Sequence, residues 1–162
     1  MEYIWKQKTK TSQAEIDRLG KEINVNPILA NILINRGVSS FEDAKQYFRP
    51  SLSELHDPFL MKDMAEAVDR IQEAIANEEQ IMVYGDYDVD GTTAVSLVYG
   101  FLTNFYPNVV FYIPDRYKEG YGISEKGVRY AAEEGVKLII ALDCGIKAIE
   151  KVALAKQLGV DF

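Results

Sequence analysis

Apolar side chains follow two different periods along the chain, and the period changes near residue 80. In residues 12–48 and 61–77 they recur every three or four positions, as on one face of a helix, and Pro50 and Pro58 bracket an irregular connector between these parts. After residue 80, compact apolar runs alternate with helical stretches, which is typical of buried strands in a parallel sheet. We therefore predict an α/β protein with a small helical N-terminal region, residues 1–60, and a partial parallel sheet with flanking helices, residues 61–162.

Several helices are predicted before the sheet. Ile16, Leu19 and Ile23 are spaced to share one apolar helix face. Pro27 is suited to begin a second helix, because the first turn of a helix leaves backbone N–H groups without partners in any case. The further predicted helices run from Pro27 through Leu33, from Ser40 to near Phe48, and from Met61 to Asn77.

Strands and helices are predicted to alternate after residue 80. Each apolar run is short, and each is followed by a stretch with helical spacing. Such connections are right-handed and give parallel strands, whose carboxyl ends collect ligands. The expected order is strand 81–84, helix 92–105, strand 109–113, helix 124–134, strand 138–142 and helix 146–158.

Three aspartates follow the first predicted strand at alternate positions. Asp86, Asp88 and Asp90 lie between two glycines, and no Lys or Arg occurs between residues 71 and 115. Carboxylates this close repel one another unless a cation lies among them, and Mn²⁺ or Mg²⁺ prefers oxygen ligands. We predict Asp86, Asp88 and Asp90 as metal ligands. Capping of the next helix by Asp90 is the simpler role that a lone aspartate would have.

The residues after these aspartates are predicted to open a helix. Gly91, Thr92 and Thr93 would then present free backbone amides, and amides at a helix N-terminus favour a phosphate oxygen. We predict Thr92 as a substrate-binding residue. A metal site next to such a helix end indicates a phosphoester substrate.

Other known motifs share residues with the aspartate loop, residues 85–93. An EF-hand that began at Asp86 would need a glutamate at its twelfth position, where the sequence has Leu97. A P-loop would need Gly-Lys-Ser/Thr, which does not follow. Haloacid-dehalogenase phosphatases carry Asp-x-Asp-Gly-Thr, which matches residues 88–92 with Asp88 as nucleophile. That phosphatase family stays open as an alternative, as does a non-catalytic module that binds metal or nucleic acid.

A fourth aspartate, Asp143, ends the third predicted strand. It would lie beside the first loop if the two strands are neighbours, and it would then be able to bridge a second metal ion. Alone, a structural role for Asp143 is at least as good an explanation. Cys144 comes next, but the only histidine, His56, lies far upstream, so no nucleophilic pair is evident.

A glycine-rich loop lies between the second strand and the next helix. Arg116 and Lys118 are cationic, Tyr121 offers a stacking face, and Gly122 lets the backbone approach a ligand. We predict Arg116, Tyr121 and Gly122 as substrate-binding residues. An ordinary surface loop explains the same sequence equally well.

Charge and composition limit the kinds of partner and environment that this protein is expected to have. The net charge is −7, and residues 51–162 hold 19 Asp and Glu against 10 Lys and Arg. Nucleic-acid binding by bulk charge needs clustered cations, so any contact with DNA has to be local. One cysteine excludes an internal disulfide framework, and no apolar run approaches the roughly 20 residues of a membrane span. A cytoplasmic protein that does not enter membranes is the expectation.

The sequence resembles the DHH phosphoesterase superfamily, and within it the exonucleases that degrade single-stranded DNA from the 5′ end. The aspartate signature together with the Gly-Tyr-Gly stretch is the most specific part of the match. The motifs that carry the resemblance occur in order along the chain: Asn35-Arg36-Gly37, Leu55-His56-Asp57-Pro58, Tyr84-Gly85-Asp86-Tyr87-Asp88-Val89-Asp90-Gly91, Ile113-Pro114-Asp115-Arg116, Glu119-Gly120-Tyr121-Gly122 and Leu142-Asp143-Cys144-Gly145.

The resemblance implies two-metal hydrolysis of single-stranded DNA in repair and recombination. Asp88, Asp90 and Asp143 match catalytic metal ligands of the family, and Asp86 matches a further family aspartate. Mn²⁺ or Mg²⁺ is the implied cofactor, and a single-strand-binding protein and a helicase are the implied partners. In the family an Asp-His-His motif follows the next strand, which residues 159–162 are predicted to begin, and a further ligand Asp and further domains come after it. We therefore expect this chain to be an N-terminal part with negligible activity alone.

Overall fold

The computed structural model describes residues 3–4 and 11–162, and it divides into two compact units, Met1–Leu60 and Met61–Phe162. The first unit is a helical cluster. Its helices α1, α2 and α3 each begin at a side chain that accepts a hydrogen bond from the first turn, namely Ser12, Asn26 and Ser40. They span Gln13–Glu22, Pro27–Ile34 and Phe41–Phe48, and two 3₁₀ turns follow at Leu52–Glu54 and Pro58–Leu60.

The core of the first unit is small and apolar. Its buried side chains come from all three helices and the turn after α2: Ile16, Leu19, Ala30, Leu33, Val38 and Ala44. The predicted face of α1 and the predicted start of α2 at Pro27 are thus confirmed. Because proline needs no N–H partner in the first turn, Pro27 begins the helix without loss.

The second unit is a three-stranded parallel sheet with helices on its faces. Its strands are β1 (Ile81–Gly85), β2 (Val109–Tyr112) and β3 (Leu138–Leu142), in the order β2-β1-β3. Its helices are α4 (Met64–Ala76), α5 (Val89–Leu102), α6 (Glu125–Glu133) and α7 (Ile149–Gln157). The predicted α/β class with a helical N-terminal region is confirmed.

The central strand β1 is buried along its whole length. Ile81 and Val83 face one apolar core, whereas Met82 and Tyr84 face another on the opposite side of the sheet. Side chains alternate in this way in any strand, so a strand covered on both faces reads as one continuous apolar run. This position makes β1 a rigid base for the loop that follows it.

Three helix starts lie three residues from their predicted positions: α7 begins at Ile149 instead of Ile146, and α5 and α4 also differ. Helix α5 begins at Val89 instead of Thr92 because Asp88, not Asp90, is its cap: the Asp88 carboxylate accepts the Gly91 N–H at 3.0 Å. Helix α4 begins at Met64 rather than Met61 because Asp63 before it has a left-handed backbone, with φ 60°. Apolar spacing alone does not show which polar residue turns toward the backbone.

An isolated bridge extends the sheet at the outer edge of β3. Asp161 and Leu138 form a parallel bridge, in which the Ile139 N–H donates to the Asp161 carbonyl at 2.8 Å. The predicted start of a strand in residues 159–162 is consistent with this pairing. In the part of the chain that the structure describes, no helix has both the length and the apolar character needed to cross a membrane.

Candidate functional site

Two chain segments leave the sheet side by side at the carboxyl ends of β1 and β3. Gly85 and Leu142 are register partners at the last paired position of these strands. The next residues along the chain are Asp86 and Asp143, so both aspartates begin loops at the same edge. This is the edge at which parallel sheets collect ligands.

The Asp86 side chain is completely buried at this edge. One carboxylate oxygen, Oδ1, accepts the N–H of Tyr87 at 2.8 Å. The other, Oδ2, is buried without a hydrogen-bond partner among the described residues. Burial of an unpartnered carboxylate oxygen is costly, and a cation at that oxygen would remove the cost.

Asp88 and Asp90 lie at the start of α5, where both are exposed. Asp88 caps the helix through the Gly91 N–H, and Asp90 lies in the first turn. The N-terminus of a helix carries partial positive charge, which stabilises carboxylates there. The same end of α5 therefore carries two carboxylates, of which Asp88 is held by its hydrogen bond to Gly91.

Asp143 is electrostatically coupled to all three of these aspartates. Its pKa is raised, first by desolvation, then by the charges of Asp88, Asp90 and Asp86, and also by a hydrogen bond with the Asp88 side chain. Asp143 has a left-handed backbone, with φ 54°, which a non-glycine residue adopts at some cost in energy. The fold thus brings four like charges to one edge of the sheet.

These carboxylates do not yet form a complete coordination sphere. Among the residues that the structure describes, no three His, Cys, Asp or Glu side chains converge tightly enough to hold an ion by themselves. The chemistry of the donors nevertheless fits a hard divalent cation, because all are carboxylate oxygens and one buried oxygen lacks a partner.

Cys144 lies next to this cluster without the properties of a nucleophile. Burial, and then the charges of Asp86, Asp143 and Asp88, raise the pKa of its thiol to about 11. A thiol with so high a pKa is protonated at neutral pH, and the thiolate is the reactive form. Its neighbours in the apolar core explain Cys144 as a packing residue.

Three side chains form a polar and aromatic surface next to the aspartates. The Arg116 guanidinium lies 5.3 Å from the centre of the Tyr87 ring, and the Tyr121 ring meets Tyr87 edge to face at 6.2 Å. The pKa of Tyr121 is raised, first by the charge of Asp86, then by desolvation and by Asp143 and Asp88. Arg116 and Tyr121 are thus placed together, and both lie on the side of the aspartates.

Thr92 and Gly122 also lie near this edge, but their polar groups already have partners. The Thr92 hydroxyl donates to the Asp88 carbonyl at 2.8 Å, within its own helix. The carbonyl of Gly122 accepts the Tyr84 hydroxyl at 3.1 Å. The Thr92 N–H donates to the same Asp88 carbonyl at 2.9 Å, so the free amide predicted at Thr92 is not present. The contact of Thr92 and Gly122 with substrate stays a prediction.

Sequence reasoning gave no role to Tyr84, Tyr87, Tyr112 or Glu119. Tyr84 and Tyr112 are register partners on adjacent strands with stacked rings 5.3 Å apart, and both hydroxyls bond to the glycine-rich loop. Glu119 accepts hydrogen bonds at the base of that loop. Tyrosines at the carboxyl ends of two apolar strands were the available signal, because a buried phenol needs a polar partner.

Comparison with known proteins gives one family and a consistent set of relatives. Residues 80–162 match the family model of the DHH family, N-terminal domain. The single-stranded-DNA-specific exonuclease RecJ of Bacillus subtilis is 41% identical over 94% of this chain, and the chain spans 19% of that protein. RecJ of Haemophilus influenzae is 26% identical over 88% of the chain, which spans 24% of it.

Solved structures give the same result. RecJ from Thermus thermophilus in complex with Mn²⁺ aligns with 93% of this chain and 20% of its own, with a TM-score of 0.65 and 25% identity. An exonuclease RecJ bound to manganese aligns with 62% of this chain and 26% of its own, with a TM-score of 0.56 and 32% identity. The family model, over residues 80–162, spans all three strands and both loops that carry the aspartates, and the chain belongs to the DHH family.

Proposed function

We propose that this chain supplies the aspartate half of a two-metal site that hydrolyses phosphodiester bonds in single-stranded DNA from the 5′ end. The observation that carries the proposal is the pairing of Gly85 with Leu142, which places Asp143 beside the Asp86–Asp90 loop. The raised pKa of Asp143, to which the charges of Asp88, Asp90 and Asp86 contribute, agrees with this placement. Four carboxylates held at one sheet edge destabilise the fold unless cations bind among them. Divalent ions offset that repulsion and are suited to phosphoryl chemistry.

Asp88, Asp90 and Asp143 are the proposed ligands that take part in catalysis, and Asp86 is a further ligand. When bound, Mn²⁺ or Mg²⁺ neutralises phosphate charge and activates water for attack. Asp86 would contribute Oδ2, the buried oxygen without a partner. The Oδ1 atom of Asp88 already accepts the Gly91 N–H, so the other carboxylate oxygen of Asp88 would bind the metal ion.

The remaining predicted residues would bind the DNA strand. Arg116 offers a guanidinium for a phosphate, since such pairs are among the strongest hydrogen-bonded contacts. Tyr121 is mostly exposed and would stack on a base. Gly122 would contact the strand through its backbone, and Thr92 through its hydroxyl, which would have to leave the Asp88 carbonyl.

The chain spans about a fifth of the length of the curated relatives that it matches. We therefore assign the activity to a longer protein and expect this chain alone to have negligible nuclease activity. A role in repair and recombination, a cytoplasmic location, and a single-strand-binding protein and a helicase as partners are part of the same proposal. Membership of the DHH family disfavours the haloacid-dehalogenase alternative, in which Asp88 would be phosphorylated.

Metal binding tests the first part of the proposal. Calorimetric titration with Mn²⁺ should show saturable binding by the chain, and Asp88→Ala should weaken it by at least about tenfold. Asp69→Ala, which removes an exposed aspartate of α4, is the matched control and should leave the affinity unchanged. Equal affinity of all three proteins would contradict a metal site in the aspartate loop.

A nuclease assay separates this proposal from a non-catalytic module. The purified chain with Mn²⁺ should leave 5′-labelled single-stranded DNA intact, whereas a longer protein that contains this chain should degrade it from the 5′ end. Loss of that activity with Asp143→Ala would support the ligand role. A longer protein that binds Mn²⁺ and DNA without cleaving the strand would instead favour the non-catalytic module.

A further inference from the structure

A buried carboxylate lies outside the aspartate cluster, in the glycine-rich loop. The Glu119 side chain is only 4% exposed. Its Oε2 accepts the hydroxyls of Tyr112 at 2.8 Å and Ser124 at 2.6 Å, and its Oε1 accepts the Asp115 N–H at 3.0 Å. Burial by itself disfavours the charged form of a carboxylate, whereas donated hydrogen bonds favour it. Three donors therefore hold Glu119 in its ionised form.

The direction of its pKa shift and a neighbouring cation also indicate that Glu119 is ionised. Burial alone would raise the pKa of Glu119, but hydrogen bonds from Ser124, Asp115 and Tyr112 outweigh burial, and the pKa is lowered. Lys126 at 3.7 Å adds a cation. Glu119 therefore accepts from all three donors as a carboxylate, which a neutral side chain of the same shape is unable to do.

Two of the three donors to Glu119 lie at the ends of one loop segment. Asp115 begins the segment and Ser124 ends it, and the Ser124 N–H also donates to the Tyr84 hydroxyl at 3.0 Å. Tyr84 and Tyr112 belong to β1 and β2, so the segment is tied to two strands of the sheet. Glu119 joins both ends of the loop to this base.

The segment between these ends carries Arg116 and Tyr121. Both side chains contact the ring of Tyr87, which lies between Asp86 and Asp88 in the sequence. Backbone at Gly120 and Gly122 is left-handed, with φ 84° and 79°, so the loop is free to take other paths when it is not tied down. Within the segment the Asp115 carboxylate accepts the Tyr117 and Lys118 N–H groups, so the placement of Arg116 and Tyr121 depends on this turn as well as on the contacts at the ends.

We propose that Glu119 is a positioning residue, which holds the 115–124 segment so that Arg116 and Tyr121 face the aspartate loop and receive a DNA strand there. Its carboxylate contacts neither the strand nor the ions. This inference rests on the proposed function, which assigns DNA binding to Arg116 and Tyr121. It adds a residue to which sequence reasoning gave no role.

Glu119→Gln would change DNA affinity in opposite directions through its effect on charge and through its effect on the loop position. Glu119→Gln removes one negative charge near a site for an anionic strand, so charge alone would strengthen DNA binding. Loss of the loop position would weaken DNA binding instead. The matched control is Glu133→Gln, which removes the same charge from the exposed last turn of α6.

Loop position is measured first, without any ligand. In Glu119→Gln we expect amide hydrogen exchange of residues 115–124 to rise by at least about tenfold, and the nuclear Overhauser contact between the Tyr87 and Tyr121 rings to disappear. Amides of β1 and α5 should keep their protection, as should all amides in Glu133→Gln. Tyr112→Phe removes a single donor and should give a smaller change in the same direction.

DNA affinity is measured second, by fluorescence anisotropy of a short labelled oligothymidylate with Mn²⁺. We expect about tenfold weaker binding by Glu119→Gln and unchanged binding by Glu133→Gln, with Mn²⁺ affinity altered less than about twofold. Unchanged exchange and ring contacts in Glu119→Gln would overturn the inference, and so would a released loop with unchanged or tighter DNA binding. If the unchanged chain binds no oligothymidylate, the proposed function fails for this chain, and the exchange data still decide whether Glu119 positions the loop.

Discussion

A Cβ atom on Gly91 would lie 2.3 Å from the carbonyl oxygen of Asp86. The first turn of α5 therefore rests directly on the backbone of the residue that follows β1. This contact brings the cap Asp88 and the exposed Asp90 next to the buried Asp86. Only glycine permits so close an approach of two backbones at this position.

We expect Gly91→Ala to push α5 away from β1 and to destabilise the chain by about 1–3 kcal/mol, the usual cost of overpacking. Mn²⁺ affinity should fall as well, because the carboxylates separate. Urea unfolding and calorimetry measure the two effects. Gly100→Ala is the control: nothing lies within 4 Å of its added Cβ, so it should stabilise α5 by about 0.5–1 kcal/mol. Equal behaviour of the two variants would contradict the backbone contact.

Asp143→Asn should have opposite effects on stability and on metal binding. Without metal, loss of one charge relieves repulsion with Asp88, Asp90 and Asp86, so the free energy of unfolding should rise. With saturating Mn²⁺, the variant should gain less stability than the unchanged chain because it lacks a ligand. Thermal unfolding with and without Mn²⁺ measures both. A drop in metal-free stability would show that Asp143 has a structural role instead.

Glu119 should make the stability of the chain depend on pH in a defined direction. Its pKa is lowered in the folded state, so the folded chain holds fewer protons than the unfolded chain in that range. Its contribution is present above the ordinary value of 4.5 and is lost as the pH falls through the folded pKa. The difference in unfolding free energy between the unchanged chain and Glu119→Gln should therefore shrink on acidification. A difference that stays constant down to the acid transition would contradict an ionised Glu119.

Arg70 should contribute more to the free energy of unfolding than Arg129, another ion-paired arginine of the second unit. Its guanidinium lies 2.8 Å from Glu79 and 2.9 Å from Asp161, and its side chain is 24% exposed. Arg70→Met should destabilise the chain by about 1–3 kcal/mol, because two carboxylates lose a charged partner. Arg129→Met breaks an exposed pair with Glu125 and should cost less than about 0.5 kcal/mol. Equal costs in urea unfolding would argue against a special role for Arg70.

Most secondary structure was predictable because it depends on local patterns. The apolar run of β1 and the helical spacing of α4 follow from side-chain period, and Pro27 and Ser40 mark helix starts by their own chemistry. The start of α5 was misplaced by three residues because two aspartates were equally suited to cap it. The choice of Asp88 depends on the way the loop leaves β1, which is a tertiary property.

Some residues of the candidate site could be predicted from the sequence, whereas others are identified only by the tertiary structure. Asp86, Asp88 and Asp90 are found together by sequence because they are neighbours along the chain, whereas Asp143 joins them only because β3 pairs with β1. Glu119 and Tyr112 meet across a loop that spacing does not describe.

The sequence alone determined the α/β class, the aspartate loop and the family resemblance, since each depends on residues close in the chain or on their order. Tertiary structure decided which aspartate caps α5, which carboxylate oxygen stays buried without a partner, and which tyrosines hold the glycine-rich loop. The physical reason is that hydrogen bonds and charge coupling depend on distances in space, and strand pairing sets those distances.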